Sequence, residues 1–125
     1  MAIKVIKISL STHKNIILCV AENKAEEILQ YLLDDSVISE FRKIKSSLFE
    51  NLHIKTLYQK VKSLKSVYEM RFTNNGRNDR IYCKEISQSK KRYIILVKLF
   101  NKKSQNIPKQ ISSQLKEIDK YEFNI

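Results

Sequence analysis

The sequence is nearly free of the residues that interrupt regular structure, with one glycine and one proline in 125 residues. That excludes a collagen-like or loop-dominated chain and argues against disorder. There is no tryptophan, and there are two cysteines, Cys19 and Cys83. Each lies inside an apolar run rather than beside another metal ligand, so reduced core thiols are expected and a disulfide is not. No apolar run approaches the ~20 residues that span a bilayer. Residues 1–7 alternate too regularly for a secretory leader. A cytoplasmic protein with no membrane partner is expected. No cluster of histidine, cysteine and acid suggests a metal, and no cofactor is expected.

What the chain has in excess is positive charge, +11 in total. Through His53 there are 7 Lys/Arg and 7 Asp/Glu; from Ile54 onward there are 17 and 6. The whole excess therefore belongs to the C-terminal part. Such a half-molecule sets up a field that concentrates polyanions. Nucleic acid is the leading partner class, because neutralised phosphates release counterions. A lysine-rich soluble surface would explain scattered charge well but segregated charge less well.

Residues Ile3 to Leu10 alternate and are rich in β-branched side chains, which predicts a strand. Asn15 to Val20 predicts a second, with Ser11 to Lys14 as the turn of a hairpin. Ala25, Ile28, Leu29 and Leu32 recur at i, i+3, i+4, i+7 and line one face of a helix. Glu22, Glu26 and Glu27 sit where its dipole favours acids. Asp34-Asp35-Ser36 ends that helix and offers caps for the next. Val37, Phe41, Ile44, Leu48 and Leu52 give the second helix its stripe. Lys55 to Ser66 is basic and weakly patterned, consistent with a loop or short helix.

Three strands follow. In Val67–Phe72, Tyr68, Met70 and Phe72 face one way and Val67, Glu69 and Arg71 the other. Asn74-Asn75-Gly76 is a turn signal. In Arg80–Lys84, Arg80, Tyr82 and Lys84 share a side. Gln88 to Lys91 forms another turn, and Arg92–Phe100 reads as a central strand covered on both sides. Pro108 suits the first turn of a helix, whose stripe is Ile111, Leu115 and Ile118. The expected class is α+β in a single domain over residues 1–125. A small, mainly antiparallel sheet would pack against a two-helix hairpin, with a C-terminal helix. No repeat or linker is evident.

This periodicity gathers Glu69, Arg71, Arg80, Tyr82 and Lys84 on one face of adjacent strands, where cross-strand neighbours lie ~5 Å apart. Just past the central strand comes Asn101-Lys102-Lys103-Ser104-Gln105, at a helix entry, where free backbone N–H groups attract phosphate. The two clusters are expected to meet at one end of the sheet.

Tyr68-Glu69-Met70-Arg71-Phe72, then Arg80-Ile81-Tyr82, then Phe100-Asn101-Lys102-Lys103 running on to Pro108, resembles the RelE/HigB toxin superfamily, in its phage-derived HigB-type branch. The pattern there is roughly Y-E-L-R, R-x-x-Y, then F-x-K-K-x-x-x-x-P before a last helix; Arg80-Ile81-Tyr82 departs from it in having one residue between Arg and Tyr. The resemblance covers about residues 54 to 122, and the helical pair fits more loosely. It implies a RelE-like fold and metal-independent cleavage of mRNA, on the ribosome, by attack of a 2′-hydroxyl on the adjacent phosphate. It also implies inhibition by a cognate antitoxin, for which a helix-turn-helix protein is the candidate type.

Carried over by position, Arg71, Arg80 and Lys103 would hold the phosphate and stabilise its developing charge. Glu69 is a candidate base, and Tyr82 a candidate acid or stacking platform. Lys84, Lys98, Lys102 and Gln105 are candidate RNA contacts; crowding among the lysines favours loss of a proton from one, which could then serve as base or acid, with Glu69 and Tyr82 as the alternatives. His13 and His53 fall outside the matched motifs. Glu69 stands where the RelE branch proper has lysine, and the tyrosine that branch uses after its last strand has no match, Lys109 being near that position. Two other readings share the scaffold: a ParE-like poison of gyrase that is not a nuclease, and a plain RNA-binding module. The arginines themselves have a bland alternative, as surface ion pairs with Glu69 and Asp79.

Overall fold

The computed structural model describes residues 2–11, 15–101 and 108–125. Thr12, His13 and Lys14 of the first expected turn lie outside the described residues, as do Lys102, Lys103 and Gln105. Among the described residues the class is α+β: a seven-stranded mixed sheet and three α-helices, with helices on both faces.

Strand β1 (Ile3–Ser11) and strand β2 (Ile16–Ala21) form the expected antiparallel pair, with a bulge between Lys7 and Ser9. Helix α1 (Ala25–Leu32) and helix α2 (Asp35–Phe49) follow. Asp34 caps α2, its carboxylate accepting from the Ser36 N–H at 2.8 Å, as a short polar residue at a helix start should. The expected stripe runs one turn too far, because α2 ends at Phe49 and Leu52 is 50% exposed beyond it.

The region from Lys55 to Ser66 contains a strand where a loop or short helix is expected: β3 (Tyr58–Lys60) pairs antiparallel with β4 (Val67–Phe72). Next come β5 (Asp79–Gln88) and β6 (Lys91–Asn101), which continue the antiparallel meander. The β4–β5 connection passes through Asn75 and Gly76, with φ of 58° and 75°. That left-handed conformation is the one glycine and asparagine tolerate. The β5–β6 hairpin turns on Ser89 and Lys90, with φ of 54° and 64°. Two successive positive φ values give the turn twist that matches paired strands. Helix α3 (Lys109–Lys120) and a two-residue strand β7 (Phe123–Asn124) close the chain.

The strand order is β3-β4-β5-β6-β2-β1-β7. β6 is thus central, and it runs parallel to β2. Both read as unbroken apolar runs because both faces are covered. One core layer joins α1 and α2 to Leu18, Met70, Phe72, Ile81 and Leu96. The other joins α3, through Leu115 and Ile118, to Cys19, Val67, Tyr82, Ile95 and Val97. The cysteines are free and buried, one in each layer. Burial pushes the Cys19 thiol up to about 11, with nearby Lys7 pulling it back only in part. No described helix is long and apolar enough to cross a membrane.

Candidate functional site

Pleating and register build the candidate site. Val67 pairs with Lys84, Glu69 with Tyr82, and Arg71 with Arg80. Alternation then sends all six side chains to the sheet face that α3 covers. The grouping expected from periodicity is therefore present for Glu69, Arg71, Arg80 and Tyr82.

Glu69 is the centre of the group. Its Oε1 accepts from Arg71 Nε at 2.8 Å and lies 2.6 Å from Arg71 Nη2. Its Oε2 lies 3.9 Å from Arg80 Nε. Two guanidinium groups on directly opposed strand positions repel, and the shared carboxylate offsets that repulsion. Arg80 is only 6% exposed. Its Nη1 donates to the Asp79 carbonyl at 3.0 Å, while its Nε has no hydrogen-bond partner among the described residues. Of the bland alternative's ion pairs, Arg71 forms its pair with Glu69, whereas Arg80 makes none with the Asp79 carboxylate. That carboxylate instead accepts from Tyr31 at 2.6 Å and from the Asn101 side chain.

Tyr82 is fully buried, and its hydroxyl has no hydrogen-bond partner among the described residues. A buried hydroxyl without a partner is costly and therefore uncommon. Burial pushes its phenol up to about 12; Glu69 adds to the rise, and the arginines oppose it. The phenol is therefore protonated at neutral pH.

Lys84 leaves the group. Its ammonium donates to the Asp119 carbonyl in the last turn of α3, where a helix presents unpaired carbonyls and partial negative charge. Burial lowers its pKa, and Asp119 works against that. Lys84 thus ties β5 to the last turn of α3. The Asp119 side chain completes the attachment. It accepts from Lys65 N at 3.0 Å, Ser66 N at 2.9 Å and Ser66 Oγ at 2.7 Å.

Lys98 is the register partner of Tyr82, yet it opens elsewhere. It lines a cavity of about 240 Å³ with Val97, Gln114 and Ile118. Glu69 lines a different cavity, of about 490 Å³, together with Lys62, Ser63, Ser112 and Lys116. The way in from solvent to the Glu69 group therefore passes two lysines that the motif reading missed. Only contacts distant in sequence bring them there, so no local signal marks them. Lys102, Lys103 and Gln105 belong to the same expected site but lie outside the described residues. Among the described residues, no group of three or more His, Cys, Asp or Glu is placed to hold a metal.

Chemically, the arrangement offers two guanidinium groups on a carboxylate, a protonated phenol without a partner beside them, and a lysine-flanked opening. Comparison with models of known protein families, with curated proteins and with solved structures finds no match to this chain.

Proposed function

We propose that this is a RelE-like toxin of a toxin–antitoxin system, a metal-independent endoribonuclease that cuts mRNA, with a cognate antitoxin as its other partner. One observation carries the reading: Arg71 and Arg80 both lie against the Glu69 carboxylate, whose register partner across the strands is Tyr82. The sequence resemblance assigns the same residues to phosphate chemistry.

In this reading an RNA phosphate competes with Glu69 for the arginine groups. The 2′-oxygen forms a bond to phosphorus as the bond from phosphorus to the 5′-oxygen breaks. Glu69 takes the proton of the 2′-hydroxyl. Tyr82, protonated at neutral pH, gives its proton to the departing 5′-oxygen. Arg71 and Arg80 stabilise the added phosphate charge, with Lys103 supplying a third cation. The products are a 2′,3′-cyclic phosphate and a 5′-hydroxyl. Because Arg80 and Tyr82 are buried beneath α3, the reading requires α3 to shift when RNA is cut.

That burial favours a second reading, a basic RNA-binding domain that does not cut. Inducible expression of the wild type beside Arg80→Ala, with mapping of mRNA 5′ ends, separates the two. New 5′-hydroxyl ends and growth arrest with the wild type, both lost in Arg80→Ala, support the nuclease. Intact mRNA with the wild type rejects it, and DNA damage signalling in that case would point to a ParE-like gyrase poison.

A further inference from the structure

A second site lies on the opposite face of the sheet. Beyond the end of α2, a cavity of about 320 Å³ opens between Leu48 and Leu52 on one side and the outer strands β3 and β4 on the other. Among the described residues its lining includes Tyr58, Tyr68, Lys55, Lys60 and Arg92, and none that is acidic. Tyr68 and Lys60 are directly paired across the two strands.

The two tyrosine rings stack, with centroids 5.2 Å apart and planes within 6°. Tyr58 is the anchored member: it is buried, and its hydroxyl donates to Glu85 Oε2 at 2.5 Å. Tyr68 is half-buried, so a ligand in the cavity can cover its ring. Arg92 is held in place by Glu85, through Nε at 2.9 Å and Nη2 at 2.8 Å. Among the described residues Nη1 has no hydrogen-bond partner. Lys60 donates to the Leu64 carbonyl at 2.6 Å and has further hydrogens to give. Lys55 is exposed.

From this combination we infer that the cavity is a binding subsite for one nucleotide of single-stranded RNA, its base stacked on Tyr68 and its flanking phosphates held by Lys55, Lys60 and Arg92. A stationary aromatic plane edged by cations is how proteins hold unpaired bases regardless of sequence. The volume is at the lower end of the small-ligand range, which suits a single base. An acidic peptide would satisfy the cations but leave the ring uncovered. A duplex keeps its bases stacked on one another. The subsite goes beyond the nuclease reading and does not depend on it. Tyr68 and Arg71 lie on opposite faces of β4; Gln59 lines both cavities, but none of Tyr68, Lys55, Lys60 and Arg92 belongs to the Glu69 group.

The test uses the full chain and a labelled oligouridylate about 10 nucleotides long, 2′-O-methylated so that it cannot be cut. Wild-type protein is expected to bind it with steep salt dependence. Tyr68→Leu should weaken binding about tenfold, and Lys55→Ala should lower the salt slope by about one. A Tyr68→Leu protein that melts like the wild type and binds equally well overturns the proposal. Should that variant fail to fold, cross-linking of the same RNA carrying 4-thiouridine to wild-type protein decides. A cross-link in the peptide containing Tyr68 supports the subsite, and cross-links confined to other peptides overturn it. Neither readout involves cutting, so loss of mRNA cleavage in Arg71→Ala bears on the other face alone.

Discussion

Arg71 and Arg80 occupy directly paired positions on β4 and β5, and one carboxylate, Glu69, lies against both. Removing it leaves two like charges opposed, one of them buried. Glu69→Ala is expected to lower stability by about 3 kcal/mol, the cost of stranding a buried charge. Urea unfolding measures this. In the Arg80→Met background the same substitution should cost clearly less, and equal costs in both backgrounds would show that Arg80 does not depend on Glu69.

Glu40, buried on α2, accepts from the Thr73 N–H at 2.9 Å and the Asn74 N–H at 3.2 Å. It ties the helix layer to the β4–β5 connection. Glu40→Leu keeps the bulk and strands both donors, so a loss of about 2 kcal/mol is expected. Faster hydrogen exchange at the Thr73 and Asn74 amides would locate the damage. Unchanged exchange there would argue against the tie.

The β5–β6 turn has the reverse character. Ser89 and Lys90 both take positive φ, which residues with a Cβ adopt at a cost. Asparagine followed by glycine is the pair such turns favour. Ser89→Asn combined with Lys90→Gly should therefore raise stability by about 1 kcal/mol. A lower melting temperature would contradict this.

Asp119 makes the docking of α3 sensitive to acid. Burial pushes its carboxyl up, but hydrogen bonds from Lys65 and Ser66 and the charge of Lys84 outweigh this, leaving it below its ordinary 3.8. A carboxyl depressed in the folded state stabilises above its unfolded value and loses that contribution as pH falls through the folded one. Asp119→Asn should thus be less stable than the wild type near neutrality, and the gap should close as pH falls below 3.8. A gap independent of pH would mean that charge plays no part.

The elements legible in the sequence are those set by local repetition. Alternation in Val67–Phe72 and Arg80–Lys84 identifies both the strands and their inward faces, and the turn signal at Asn74–Gly76 leads to the Arg71–Arg80 register. The helix stripes are read the same way, except that Leu52 continues the spacing after the helix has ended. Strand β3 is too short to show a period, and its partner β4, not its composition, makes it a strand. The ties of Lys84 and Lys65 to Asp119 join distant residues, and no window along the chain contains both ends. For the same reason the segregation of charge is legible in the sequence while the separate openings of Lys98 and Glu69 are not.

The parallel pairing of β2 with β6 carries a kinetic consequence. Ile16 pairs with Arg92 and Val20 with Leu96, so β2 must wait for almost the entire chain before its inner edge is covered. β4, β5 and β6, by contrast, are joined by short turns and can zip in sequence, since nearby contacts close with little entropy loss. Ile81→Val in this meander should mainly slow refolding, whereas Leu18→Ala in β2 should mainly hasten unfolding, a division that stopped-flow mixing can measure. During synthesis the first hairpin is therefore an orphan edge, and the sheet is sealed only when the strand at its centre has been made.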